Sequence, residues 1–390
     1  MEKLYYIWLS LVFPNGSDKP NEIVMRFPSV EEFYNLSKDE MFKLPFLTAK
    51  DIISIKATSL ERAKLVLKDC QDMGIEVVTY QDEEYPQRLK LIYGPPVVFY
   101  VKGNISGIND EVLITCVGTR KYVDYTAYAT EFLCCQLAKA GVIVVSGCAV
   151  GIDTFAHKGA LRAGKKTFAV MGCGLDIDYP SENRELKQLI LDNGGALISE
   201  LPPRTPVIGK YFPVRNRILA GISLGVLLTH APEKSGSLIT AEYAIEQGKD
   251  VFCLPPYSIF DARFMGVVKY LRDGAVPVFS AKDILFEYCA NYANKLDIDM
   301  ILGSFIDNKK SHSKSKEIKE NNNQQTIEEK PNVDLDGEYK VVYDVLKDNP
   351  RFIDEVSVDC GYDVGKTLSI LAELEIMGIV KSYSGRRYSY

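Results

Sequence analysis

The spacing of apolar residues changes period along the chain, and each change marks a different kind of structure. Over residues 1–80 apolar positions recur at helical spacing. Val30–Leu36 and Leu60–Met73 are predicted helices, with Ser59 placed to cap the second. Leu4–Phe13 is an uncharged run with the length of a signal-peptide core. It lacks a small-residue cleavage site, and Pro14-Asn15-Gly16 after it reads as a turn. No run approaches the ~20 apolar residues of a membrane span. Leu4–Phe13 is therefore expected to be a buried first helix or strand, and residues 1–80 a small helical accessory domain without chemistry of its own.

From about residue 112 to 280 the period shortens. Predicted strands are Val112–Val117, Val142–Ser146, Thr167–Met171, Ala196–Ser199, Leu224–Thr229 and Val251–Leu254. Helical stretches such as Tyr125–Ala140 and Leu238–Gln247 lie between them. Near-continuous apolar strands separated by helices mean a parallel sheet covered on both faces, an α/β doubly wound fold. The domain is drawn at 81–292. Such sheets bind ligands beyond the carboxyl ends of their strands, so the loops there are the place to look for function.

Residues 293–336 interrupt the pattern. Asn308–Gln325 is rich in Lys, Ser, Asn and Gln and reads as a flexible linker. Residues 337–390 resume with predicted helices Tyr339–Leu346, Ile353–Val358 and Val364–Met377. A hairpin over Ile379–Tyr390 follows, with Ser384-Gly385 at its turn. Three helices and a β-wing make a winged helix.

Charge and composition narrow the chemistry. A net charge of −6 and a pI near 5.4 mean that any nucleic-acid site is a local patch on an acidic body. Nine cysteines without CxxC spacing, including the neighbours Cys134 and Cys135, read as buried thiols of a reducing, cytoplasmic compartment. The three histidines, His157, His230 and His312, are far apart, so no metal site is expected.

Four strand-end loops carry the candidate chemistry. The first, Gly118-Thr119-Arg120-Lys121, combines a glycine permitting close backbone approach with a guanidinium suited to phosphate. The second opens with Ser146 and Gly147 and reaches a helix start after Gly151, a natural anion site. Asp153 and His157 share a face of that helix. They can be read as an acid–base or metal pair, or as a cap and a structural hydrogen bond, and the latter is preferred. In the third loop, Gly172 and Gly174 form half of a dinucleotide fingerprint whose third glycine is missing, which disfavours NAD. The fourth is the most informative. Leu201–Pro232 contains no acid, while Arg204, Lys210, Arg215 and Arg217 are present. Lys210, Phe212, Arg215, Asn216 and Arg217 interleave rings and cations as single-strand binders do, and a core role for Phe212 with solvated arginines remains open. Just downstream, Ser235-Gly236-Ser237 opens a second anion-compatible helix start. Gly361–Thr367 mimics a P-loop but has one residue too few between its glycines, and Asp363 reads instead as a helix cap. No catalytic residues and no cofactor are assigned.

Taken together these strings resemble the DprA/Smf family. They are Tyr85-Pro86, Pro95-Pro96, VGTR at 117–120, SGCAVGID from 146, GCGLDIDYPSEN at 172–183, SELPP at 199–203, FPVRNRILAGIS at 212–223 and SGSLITA at 235–241. The resemblance implies an extended Rossmann-like domain that binds single-stranded DNA, loads the RecA recombinase in natural transformation, and forms a homodimer. It places Gly118, Arg120, Lys121, Ser146, Gly147, Gly151, Lys210, Phe212, Arg215, Asn216, Arg217, Ser235, Gly236 and Ser237 around the DNA, with Arg215 and Arg217 on phosphates. The chain departs from the family at Tyr257-Ser258-Ile259-Phe260, where a small Gly-rich run is expected, and at Phe264–Val268. Two other classes compete. One is a nucleotide phosphoribohydrolase-type enzyme, disfavoured because a PGGxGT-type loop with a catalytic Glu is missing. The other is a transcription regulator reading duplex DNA through the winged helix. The third winged-helix helix carries Glu373 and Glu375 beside Lys366, which favours protein contact or weak DNA contact there.

Overall fold

A computed structural model describes residues 2–297, 335–346, 351–383 and 387–390. The chain divides into two units, Met1–His312 and Ser313–Tyr390. The expected linker lies for the most part outside the described residues, as does the Ser384-Gly385 turn.

The first unit is built on nine strands: β1 Glu76–Thr79, β2 Val98–Gly103, β3 Leu113–Gly118, β4 Ile143–Ser146, β5 Thr167–Met171, β6 Ala196–Ser199, β7 Gly225–His230, β8 Asp250–Cys253 and β9 Val276–Pro277. Their spatial order is β1-β2-β6-β5-β4-β3-β7-β8-β9. From β6 to β9 every pairing is parallel. The edge is different, since β2 runs antiparallel to β6 and β1 antiparallel to β2. The six expected strands are present within a residue of their expected ends, and the sheet is the expected Rossmann-like one. β1, β2 and β9 were not foreseen, and the first two make the sheet mixed.

Alternation along the strands explains the two covered faces. In β3, Ile114 and Cys116 join one core cluster with Leu133, Leu137 and Val144. Leu113 and Val117 point the other way, into a cluster with Val145, Phe168, Ile198 and Leu219. That second cluster also contains Tyr6, Trp8, Leu9, Phe33 and Ile55 from the N-terminal helices. Those helices are Glu2–Val12, Lys19–Arg26, Val30–Tyr34, Lys38–Phe42, Ala49–Ala57 and Leu60–Asp72. Leu4–Phe13 is thus mostly a buried helix. The helical region shares its core with the sheet, and β1 lies before the residue-80 boundary drawn from the sequence. Side-chain caps start the short helices, with reciprocal capping boxes at Ser37/Glu40 and Thr48/Asp51. Ser59 occupies the expected cap position but makes no side-chain cap bond.

The second unit has helices Gly337–Asp344, Ile353–Cys360 and Val364–Ile376, with β10 Arg351–Phe352, β11 Lys381–Tyr383 and β12 Arg387–Ser389. β12 pairs antiparallel with both others, giving the winged-helix arrangement. Val342, Val356, Leu371 and Leu374 form its core. Asp363 accepts a hydrogen bond from the Lys366 amide at 3.0 Å, the expected cap.

Among the described residues no helix is long and apolar enough to cross a membrane. Nor do they hold a group of three or more metal-ligating side chains. All nine cysteines are free, and seven are buried.

Candidate nucleic-acid interface

The sheet order reverses at β3, since the chain proceeds from β3 through β4, β5 and β6 on one side and returns to β7 on the other. Loops leaving β3 and β7 therefore diverge at their carboxyl ends and open a crevice, where doubly wound folds hold ligands. A cleft of about 470 Å³ lies there. Its walls include Gly118, Thr119, Arg120 and Lys121 after β3, Ala149 and Asp153 after β4, Phe212, Arg215 and Asn216, and Lys234–Ser237 after β7.

Two glycines let these walls approach. A Cβ on Gly118 would lie 2.6 Å from the Ile152 side chain, and one on Gly151 would lie 2.6 Å from the Thr119 carbonyl. Gly151 also has φ +95°, so a side chain there would be strained as well as crowded.

The loop after β4 is occupied from within. The buried Asp153 carboxylate accepts from the Gly147 amide at 3.1 Å and the Ala149 amide at 3.2 Å. The Ile152 amide donates to the Thr119 carbonyl at 3.3 Å. These amides are therefore spent internally, and the helix Ile152–Arg162 does not offer the open anion site expected from the sequence. Ser146 is fully buried and donates to the Cys116 carbonyl at 2.6 Å, so it supports the wall without facing the cleft. Asn183, to which sequence reasoning gave no role, donates to the Cys148 and Ala149 carbonyls at 3.0 and 3.2 Å and pins the same loop.

The helix Tyr211–Ile222 sets the opposite wall. Phe212 lies over Gly172, whose Cβ would meet the ring at 2.8 Å, and beside Tyr179 at 5.7 Å. The Arg120 guanidinium sits 5.8 Å from the Phe212 ring centroid, a cation–π placement. Arg215 is buried. It donates to the Gly147 carbonyl at 3.1 Å, to the Val170 carbonyl, and to the Asn216 side chain at 3.2 Å. Burial pushes its pKa down, Asp153 pushes it back up, and nearby Arg120 adds a smaller downward effect. Burial likewise raises the Asp153 pKa, against the pull of Arg215. Asn216 donates to the Gly236 carbonyl at 3.2 Å and so ties this helix to the third wall. There, Ser235 accepts from the Ser237 amide at 3.4 Å, while a Cβ on Gly236 would meet nothing within 4 Å. Gly236 thus opens onto free space.

Of the residues expected at the site, the cleft gathers Gly118, Arg120, Lys121, Phe212, Arg215, Asn216, Ser235, Gly236 and Ser237. Gly147 and Gly151 lie behind it. Lys210 is exposed outside the lining, its ammonium 5.6 Å from the Tyr211 ring. Arg217 does not line the cleft either. It is buried and paired with Glu200 at 2.5 Å, and its side chain runs toward the Pro14–Ser17 turn, where a Cβ on Gly16 would meet its Nε at 3.4 Å. Arg204 makes a two-nitrogen bridge to Asp69 at 2.7 and 2.8 Å. The acid-free loop is therefore largely neutralised by acids outside it. The exposed cations of the cleft are Arg120, Lys121 and Lys234, and none of them pairs with a carboxylate among the described residues. Lys234 was not placed at the site from the sequence, although it directly precedes Ser235.

His157 is structural. Its Nδ1 lies 2.8 Å from the Thr167 hydroxyl, which donates its own proton to the Val144 carbonyl at 2.6 Å. Nδ1 must therefore be the donor. Burial, then the Arg215 charge, lowers the His157 pKa to about 3. The unfolded value is about 6.5, so between these limits only the unfolded chain takes up the proton and stability falls as pH drops below 6.5. The loss at pH 5 is expected to be about 2 kcal/mol. The variant His157→Gln should flatten that decline in urea melts. Asp153, with its raised pKa, acts in the opposite sense in both proteins, so the difference isolates the histidine. An equally steep decline in the variant would refute the assignment.

Residues 76–289 match the family model of DNA recombination-mediator protein A, and 327–386 match the DprA winged helix domain. The chain is 38% identical over 222 residues to DNA processing protein DprA of Bacillus subtilis, covering 57% of this chain and 74% of that protein. It is 32% identical to protein Smf of Synechocystis over 83% of this chain and 82% of the relative. The X-ray structure of DprA from Streptococcus pneumoniae superposes with a TM-score of 0.62 at 30% identity, over 74% of this chain and 98% of that one. DprA from Helicobacter pylori, described for its single-stranded DNA binding mode, gives a TM-score of 0.50 at 28% identity, over 56% and 97%. A Rossmann-like sheet with a cationic switch-point cleft, joined in sequence to a winged helix, defines a DNA-processing protein of the recombination-mediator class. The chain belongs to the DprA/Smf family.

Proposed function

We propose that this protein binds single-stranded DNA in the switch-point cleft, and that it acts by binding rather than by catalysis. The observation that carries this reading is the set Arg120, Lys121 and Lys234, exposed around a cleft with Phe212 on its wall and without carboxylate partners among the described residues. Cations on phosphates beside a ring for a base are the means of single-strand binding. The one carboxylate among the lining residues, Asp153, is buried and engaged with two amides and Arg215, so it is poorly placed as a catalytic base. That supports binding over the phosphoribohydrolase reading. The finer role is a recombination mediator of natural transformation that protects the strand and loads RecA on it, acting as a homodimer in the cytoplasm.

The winged helix is proposed to contact protein in preference to duplex DNA. Lys366, at the start of its third helix, pairs with Glu338 at 2.5 Å, and Arg351 pairs with Asp359 at 2.7 Å. These pairs take two cations away from phosphates, which weighs against the transcription-regulator reading.

Fluorescence anisotropy with matched single-stranded and duplex oligonucleotides over a salt series tests the cleft. Single-strand affinity should exceed duplex affinity at least tenfold. Each phosphate contact on a single strand adds about 0.7 to the slope of log K against log salt. Arg120→Ala/Lys234→Ala should therefore lower the slope by about 1.4. Absence of single-strand binding by the wild type at low salt would sink the proposal.

A further inference from the structure

The helix Asp124–Lys139 leaves the cleft directly after Lys121 and buries Ala127, Thr130, Leu133, Cys134, Leu137 and Ala138. Its other side carries rings where a surface helix ordinarily carries polar groups. Tyr122 is 43% exposed, Tyr125 41%, Tyr128 69% and Phe132 45%. Tyr125, Tyr128 and Phe132, at intervals of three and four residues, share one face of the helix in a row about 10 Å long at 1.5 Å rise per residue, and Tyr122 lies just ahead of its first turn. Tyr128 and Phe132 present nearly parallel rings, inclined by 16° with centroids 6.2 Å apart.

We propose that this row, joined by Tyr257, is a base-stacking platform that continues the single-strand path out of the cleft. The proposal rests on the cleft reading above. Three observations favour nucleic-acid bases as the occupant. The first is continuity, because Tyr122 adjoins the cleft-lining Lys121 and meets Phe155 edge-on at 4.8 Å. Cations interleave with the rings at that end, since Lys158 lies 5.7 Å over Phe155. The last observation concerns the neighbouring loop, where this chain departs from the family's small residues. Tyr257, 53% exposed, packs edge-on against Tyr125 at 5.7 Å, and Tyr125 donates to the Pro255 carbonyl at 3.3 Å. The row so extends across the carboxyl edge of the sheet. Along the helix itself charge is balanced, with Asp124 at its start and Glu131 bridged to Arg162 at 3.3 Å. Stacking, rather than phosphate neutralisation, is what this surface supplies.

That difference gives the test its signature. Binding of the full chain to a twenty-residue oligothymidylate is measured over a salt series for wild type, Tyr128→Ala/Phe132→Ala and Arg120→Ala/Lys234→Ala. Base–ring stacking is sequence-tolerant and strong enough that losing two rings should weaken binding at least tenfold. The salt slope of the ring variant should equal that of the wild type, whereas the cation variant should show a reduced slope. Tyr128→Phe, which keeps the ring, should bind as the wild type does. Unchanged affinity in the ring variant beside a reduced slope in the cation variant overturns the platform and leaves the cleft standing. If the wild type does not bind, both readings fall. A ring variant that changes oligomeric state by light scattering while keeping its affinity identifies a self-association surface instead and overturns the platform. The substituted rings are exposed, so thermal melting should be unaltered.

Discussion

Arg215→Ala is expected to destabilise the first unit by about 2–5 kcal/mol, the cost of leaving two buried carbonyls without their donor and Asp153 without the charge that offsets its burial. The Arg215 charge favours an ionised Asp153, and the buried guanidinium donates to the Gly147 and Val170 carbonyls. Its removal strands the carboxylate and frees two carbonyls at the back of the cleft. The pH dependence has a definite sign. Burial already raises the Asp153 pKa above its unfolded value, and loss of the guanidinium raises it further. A neutral Asp153 is tolerated, so the penalty should be largest above neutrality and shrink as pH falls and the carboxyl takes up a proton. Urea melts of wild type and variant between pH 5 and 8 measure this. A penalty under 1 kcal/mol, or one that grows on acidification, would contradict the assignment. Loss of DNA binding in Arg215→Ala would therefore reflect a collapsed wall, and the exposed pair Arg120 and Lys234 is the better probe of phosphate contacts.

What the sequence disclosed and what it hid have the same physical origin. Short, nearly continuous apolar runs are a local property, and they located β3 to β8 to within a residue. Strands at the edge were harder to find. β9 has only two residues, and β1 and β2 precede the stretch where strands alternate with helices, so the pattern that located the others did not reach them. The cleft was legible because glycines, serines and an arginine at strand ends are a local signature. Partner assignments were not, because charge pairing acts through space. Arg204 meets Asp69 across 135 positions of sequence, and Asp153 reaches back across the loop to the Gly147 amide. An acid-free stretch in sequence is thus not an uncompensated one in the fold. The cations left for a ligand sit on the two neighbouring loops, at Arg120, Lys121 and Lys234.

Arg217 makes the same point as a measurement. The sequence resemblance puts it on a phosphate, whereas the fold buries it against Glu200 at 2.5 Å, on the side facing the N-terminal turn. Only one of its three guanidinium nitrogens finds an acceptor among the described residues. Such a pair is strongly destabilised by loss of one member and only weakly by apolar replacement of both. Arg217→Met and Glu200→Leu should therefore each cost about 3–5 kcal/mol. The double variant should recover most of that loss, giving a coupling energy above about 2 kcal/mol in a double-mutant cycle. Because neither charge lines the cleft, the double variant should also bind single strands with the wild-type salt slope. A slope reduced by about 0.7 would instead mean that Arg217 reaches a phosphate, as the resemblance implies. Additive losses in the cycle would mean that the two charges do not depend on each other.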